Sequence, residues 1–429
     1  MFGFANFLLL ALFAAAVFDL IFALARGGGL RGALHGLWNT PHLLLGQQLA
    51  EWRLQLGRIL FAAGLAAYEI SVVFCNSMAR QNWAWVQGVM SPVLEWLAFL
   101  CFGAKILFGT RYTWRELLAG GALYFIARWV YFNSQNIWWI GIVVAVLAAK
   151  DVPLRRPLQV YFVSGCAAIA VVLALHFAGI VAPDLTSERM GALRGTYGYG
   201  HPNTFGGLVF GLVLAYALLR AQKVRWVDCL LVFAIGVFLL VGPASRSAAL
   251  CTLALAVGLV FCRLRAGHSV PRWWPGTCAG MVGLTAAVSY LLPLLVIKVG
   301  PWNNDIGPAW LAKLDSLLTC RISLTWMAYR LLDVKIAGQV FNWPTVDNSF
   351  AFALFQFGPV VAALLGILFA AALWGHAKQG RRVEVCCLFA MLAYAYMEVQ
   401  PFHLTTNPTA LLLCGAVFAQ TSARWQKIE

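Results

Sequence analysis

Long apolar blocks alternate with short charged turns along the whole chain, and blocks such as 230–241 and 360–374 are apolar on every face. A helix that crosses a bilayer needs about 20 mostly apolar residues. Reading blocks against flanking charges predicts spans near 2–25, 58–76, 88–108, 114–133, 136–149, 158–182, 203–220, 226–243, 247–263, 276–298, 348–374, 383–400 and 408–422. The expected fold is therefore all-α, a polytopic transmembrane helix bundle of about 12–13 spans forming a single integral membrane domain over 1–429. Outer-membrane barrels read as alternating strands of about 10 residues, a pattern these blocks do not have. Residues 41–58 mix Leu43, Leu44, Leu45, Leu49, Trp52 and Leu56 with Gln, Glu and Arg, which suits a helix lying in the interface.

Composition agrees: 62% of the 429 residues are hydrophobic and 11% charged, against about 25% charged in soluble domains. A water-soluble enzyme is excluded. The net charge of +15 is carried by short clusters at Arg220/Lys223/Arg225, Arg263/Arg265/Arg272 and Lys378/Arg381/Arg382, the pattern expected of cytoplasmic loops. No basic stretch is interleaved with aromatics in a soluble segment, so no nucleic-acid partner is expected. The block 2–25 has no preceding charge and is followed by Arg26 and Arg31, which reads as a retained span with its N-terminus outside. Most of the eleven cysteines lie in apolar blocks as small hydrophobes, without zinc spacing. No metal and no cofactor is expected.

With this orientation, three polar segments fall on the outer side: 183–202, the turn 242–247, and the long loop 299–347, whose segment 321–338 has the pattern of an amphipathic helix on the outer leaflet. The first holds Arg189 and Arg194, then Tyr199, His201, Pro202 and Asn203 at the start of a span. Pro suits a first helical turn, and a helix N-terminus offers N–H groups to an anion. The same spacing also fits a glycine-rich turn with a solvated His201. In the second, Arg246 suits either a substrate anion or a lipid phosphate. In the third, Arg321 opens the amphipathic segment, while Asp347, beside Asn348, reads as a helix N-cap or as a base for a substrate hydroxyl. Together these segments offer arginine forks that suit a diphosphate. No Asp-x-Asp pair occurs to hold a divalent metal. Asp19, Glu69, Glu95, Lys105 and Arg128 fall inside spans, where they would pair or line a pathway, so a transporter is a second reading.

The order Gly-Tyr-Gly-His-Pro-Asn at 198–203, Ser-Arg-Ser at 245–247, Cys-Arg at 320–321 and Asp-Asn-Ser-Phe at 347–350, with Gly358 soon after, resembles the O-antigen and capsular polysaccharide polymerases, which share a superfamily with the O-antigen ligases. The inside loop at 148–156 resembles theirs as well. The resemblance implies a metal-independent, inverting glycosyltransferase of the bacterial cytoplasmic membrane with its active site on the extracytoplasmic side. It would pass an undecaprenyl-diphosphate-linked glycan to an acceptor sugar hydroxyl, with a chain-length regulator as a candidate partner. It makes Arg194, Arg246 and Arg321 candidates for the diphosphate and His201 or Asp347 candidates for activation of the acceptor; beside these, Arg189 is a further candidate for the diphosphate and Tyr199, Asn203 and Asn348 are candidate substrate contacts. The ligase branch typically has histidine where Asp347 stands, which favours polymerase. A lipid-linked oligosaccharide flippase and a ligase-type transferase remain the alternatives.

Overall fold

A computed structural model describes residues 2–25, 29–46, 48–181, 187–189, 192–296 and 308–418. Among them the chain forms eighteen α-helical segments and only two two-stranded ribbons. Eight helices are long and apolar enough to cross a membrane: Asn6–Ala25, Ala50–Cys75, Val86–Phe108, Arg155–Phe177, Pro202–Leu219, Arg246–Leu264, Trp274–Leu295 and Pro359–Lys378. By helix length and composition this is a multi-pass membrane protein. The surface agrees, since Val227, Leu230, Phe233 and Val257 stand more than half exposed on neighbouring helices. A soluble monomer rarely shows an apolar face of that extent.

Eight is fewer than the thirteen spans expected, and the reasons are local. Ile137–Ala148, Trp226–Val241 and Pro408–Val417 are helical but shorter than a bilayer crossing. Trp114–Ser134 is long but carries Arg115, Glu116 and Arg128, the last lying over the Phe132 ring at 4.9 Å. The expected span at 348–374 is two pieces. Gly358 takes φ +88° before Pro359, and a Cβ there would meet the Ile336 carbonyl oxygen at 2.1 Å, so the chain must break at this point. The expected span at 383–400 ends at Met397, and the chain continues from there as 3₁₀ helix and turn through Leu413.

The interfacial helix expected at 41–58 also differs. His42–Leu43 pairs with Arg111–Tyr112, and Arg53 donates to the carbonyls of Leu44, Gly46 and Phe108 at 2.6, 2.6 and 2.9 Å. Helix Ala50–Cys75 then runs on without a break. In the long loop, helix Arg321–Leu331 stops at Leu331, short of the expected end at 338. The buried core runs from Leu8 to Phe418 through all the long helices, and it sets three of them side by side. Pro202–Leu219 and Arg246–Leu264 start at the same end of the bundle, where Arg382–Met397 finishes.

Candidate functional site

At that shared end, short-range rules fix each polar side chain. Pro202 occupies the first turn of its helix, and His201 caps it, Nδ1 accepting from the Asn203 N–H at 3.1 Å. With Nδ1 an acceptor, the ring proton sits on Nε2, so Nδ1 is committed to the helix and not to a substrate hydroxyl. Small residues along the same helix admit close neighbours. A Cβ on Gly211 would stand 2.7 Å from the Thr405 carbonyl oxygen, which is why the segment after Met397 can lie against this helix.

Glu398 is the first residue beyond helix Arg382–Met397 and is buried. Its Oε1 accepts from Asn203 Nδ2 at 3.0 Å, Ser247 Oγ at 2.6 Å and an Arg321 terminal nitrogen at 2.6 Å. Arg321 is held further by the carbonyls of Met397 and Leu318, the latter at 2.9 Å. Asp315 fixes the start of its helix, accepting from the backbone N–H of Ile322 at 2.8 Å and Ser323 at 3.1 Å. On the other side Arg194, also buried, donates to Asn203 Oδ1 at 2.9 Å and to the Ala244 carbonyl at 3.2 Å. The chain of contacts is Arg194, Asn203, Glu398, Arg321. Among the described residues Arg321 pairs directly with the Glu398 carboxylate, and Arg194 reaches it through Asn203.

Arg246 adds another cation, exposed at the first position of its helix beside buried Ser247. Asp347 is half-buried and near enough to Glu398 for the two carboxyls to interact. It is not the cap expected from the sequence. Asn348 caps helix Ser349–Phe352, accepting from the N–H groups of Phe350 at 2.9 Å and Ala351 at 3.1 Å, and its amide donates to Ser289 Oγ at 3.1 Å. Asn348 is thereby a buried structural residue, and Asp347 is relieved of that role. Ser349 Oγ donates to the Glu398 carbonyl at 2.5 Å, tying this segment to the centre.

Tyr199, expected at the substrate, is fully buried against Phe205 with ring centroids 5.6 Å apart. It takes a place in the packing under the helix. The hairpin Ser187–Arg189 and Ala192–Arg194 pairs Arg189 with Ala192 in backbone register, and the Arg189 side chain lies outside the described residues, as does most of 183–193. So Arg194, Asn203, Arg321 and Ser349 come together with Asp347 near them, while Tyr199 and Asn348 turn inward. Beside the centre, an apolar cavity of about 90 Å³ lined by Tyr290, Phe350, Phe369 and Phe402 reaches Ser349. The described residues contain no cluster of His, Cys, Asp and Glu suited to a metal ion.

Glu398 is not among the residues the sequence singles out, although Asn203, Ser247, Arg321 and Ser349 all bond to it. Its signal is a lone acidic residue at the end of a predicted span, indistinguishable there from Glu69 or Glu95. Compared with protein-family models, with curated proteins and with solved structures, the chain matches none.

Proposed function

We propose that the protein is a polysaccharide polymerase-type membrane glycosyltransferase. In this reading it transfers an undecaprenyl-diphosphate-linked glycan to an acceptor sugar hydroxyl at the outer face of the bacterial cytoplasmic membrane. The observation that carries the proposal is the convergence of Asn203, Ser247, Arg321 and Ser349 on Glu398, with Arg194 joined to it through Asn203. Those residues come from the separate short motifs whose order resembles the polymerase family.

The chemistry rests on the charges. Arg246, exposed at the start of its helix beside buried Arg321, receives the diphosphate of the donor, and the arginines stabilise the negative charge that builds on it as it leaves. Asp347 takes the proton of the acceptor hydroxyl as its oxygen bonds to the anomeric carbon. The bond from that carbon to the phosphate oxygen breaks with its electron pair staying on the diphosphate, which inverts the anomeric centre. The apolar cavity at Tyr290 and Phe369 suits the first units of a prenyl chain.

Arg246→Ala is expected to cut polymer formation by about a hundredfold, and Asp347→Asn by a comparable factor, both at unchanged abundance in the membrane. Glycan ladders from a strain that lacks the wild-type gene read both, and single lipid-linked repeat units should accumulate on the outer side. Normal ladders from both variants would reject the proposal.

A flippase for lipid-linked oligosaccharide is the second reading. It is favoured by Glu69, fully buried in helix Ala50–Cys75, whose Oε2 has no hydrogen-bond partner among the described residues. Two other ionisable groups of the early spans are tied into the structure: Asp19 accepts from the Leu45 N–H at 3.0 Å, and Lys105 donates to the Lys150 carbonyl. Repeat units trapped inside in the Arg246→Ala strain would move the assignment to this reading.

A further inference from the structure

The opposite end of the same helices holds a second charged feature, an open cleft of about 720 Å³. Its walls are the start of helix Arg155–Phe177, the ends of Pro202–Leu219 and Arg246–Leu264 with the turns that continue from them, and the turn into Arg382–Met397. Helices of 16–19 residues put it about 24–28 Å from the Glu398 centre, close to the thickness of a bilayer's hydrocarbon core.

Among the described residues, six Lys and Arg side chains line this cleft against one carboxylate, Glu384. Two of the six build the walls. Arg220 pairs with Asp228 at 3.1 Å, and Arg382 donates to the carbonyls of Arg265 and His268. The remaining four, Arg155, Lys223, Arg263 and Arg381, form no side-chain hydrogen bond or ion pair with the described residues. A concave, low-dielectric surface carrying one sign of charge concentrates counter-ions, and guanidinium forks match phosphate oxygens two at a time.

We propose that this cleft is a binding site for a ligand carrying two or more phosphoryl groups. Its volume lies within the usual range for a small-molecule site and is far larger than one inorganic phosphate needs. The shared chemistry has two sources, the headgroup of a lipid with two phosphates, as basic pockets between membrane helices bind, or a soluble polyphosphate. The site uses none of the residues of the glycosyl-transfer proposal and stands without it.

The test uses the full-length protein, with native mass spectrometry of cardiolipin binding and, separately, of inorganic tripolyphosphate binding in neutral detergent. The variant Arg263→Gln with Arg381→Gln removes two cations that form no side-chain hydrogen bond or ion pair with the described residues. It should bind the preferred probe about tenfold or more weakly. Arg156→Gln with Arg272→Gln removes the same charge from exposed positions at that end outside the cleft, and should stay within about twofold of wild type. Cardiolipin retained in the presence of tripolyphosphate identifies the lipid source; tripolyphosphate bound without lipid identifies the soluble one. Equal losses from the two double variants, or no binding of either probe by a monodisperse wild-type protein, would overturn the site.

Discussion

The two ends of the helices Pro202–Leu219 and Arg246–Leu264 solve opposite electrostatic problems. At one end Arg194 and Arg321 are buried, and the chain supplies their partners: Asn203, Ser247 and the Glu398 carboxylate. At the other, Arg155, Lys223, Arg263 and Arg381 stand around an open cleft and form no side-chain hydrogen bond or ion pair with the described residues. The difference comes from burial. A guanidinium taken out of water needs its counter-charge within the fold, whereas an exposed one does not. Stability should therefore hang on the first set and hardly at all on the second.

The largest effect is expected from Glu398→Ala. It leaves Arg321 buried without a counter-charge and takes the acceptor from Asn203 and Ser247, a loss of about 3–5 kcal/mol. Thermal unfolding of the detergent-solubilised protein, followed by tryptophan emission, checks this. A combined Glu398→Leu, Arg321→Met variant sharpens the comparison, because it removes both charges together and should recover most of that stability while leaving glycan transfer abolished. A double variant as unstable as Glu398→Ala would mean that the pair serves packing more than charge.

Gly211→Ala comes next, at about 1–3 kcal/mol. The added methyl meets the Thr405 carbonyl oxygen at 2.7 Å and the Thr406 Cα at 3.0 Å, both backbone atoms that cannot swing aside. The segment that places Glu398 would be pushed off the helix, so activity should fall along with the melting temperature. Asn348→Ala removes a helix cap at about 1 kcal/mol, while Asp347→Asn should leave the melting temperature where it was. If Asp347→Asn destabilised as much as Asn348→Ala, the division between cap and base at these adjacent positions would be lost.

These residues also mark what the sequence discloses. Helices formed where apolar blocks predicted them, because burial of apolar surface is a local property of composition. Their number as crossings was not legible, since Gly358 breaks one block through a contact with Ile336, and Met397 ends another where the chain turns toward Pro202. Arg194, Arg321 and Asn203 could be picked out as polar groups at block ends. Glu398 could not, because its value comes from Asn203, 195 residues away, and from Ser247, 151 residues away. Asp347 and Asn348 are both good caps by type, and only the path of the segment before them decides which side chain turns back to the helix.

The smallest effect is the most informative about the far end. Arg263→Gln should change stability by less than about 0.5 kcal/mol, because the exposed side chain forms no hydrogen bond or ion pair with the described residues. Its sign depends on whether the cleft is empty. With no ligand, the four cations that have no ion pair among the described residues repel one another, and removing one relieves that repulsion. Added salt does the same by screening: the Debye length falls from about 10 Å at 0.1 M to about 3 Å at 1 M. Wild type in neutral detergent should therefore gain melting temperature as salt rises, and Arg263→Gln should gain less. With a phosphate-bearing ligand bound the order inverts, since salt then weakens the attraction between cleft and ligand and wild type loses the more. At the Glu398 end the pairs are buried and screened far less, so the same salt series on Glu398→Ala should run parallel to wild type. Parallel curves for all three proteins would mean that the cleft cations are too far apart to feel one another, and the contrast between the two ends would reduce to burial alone.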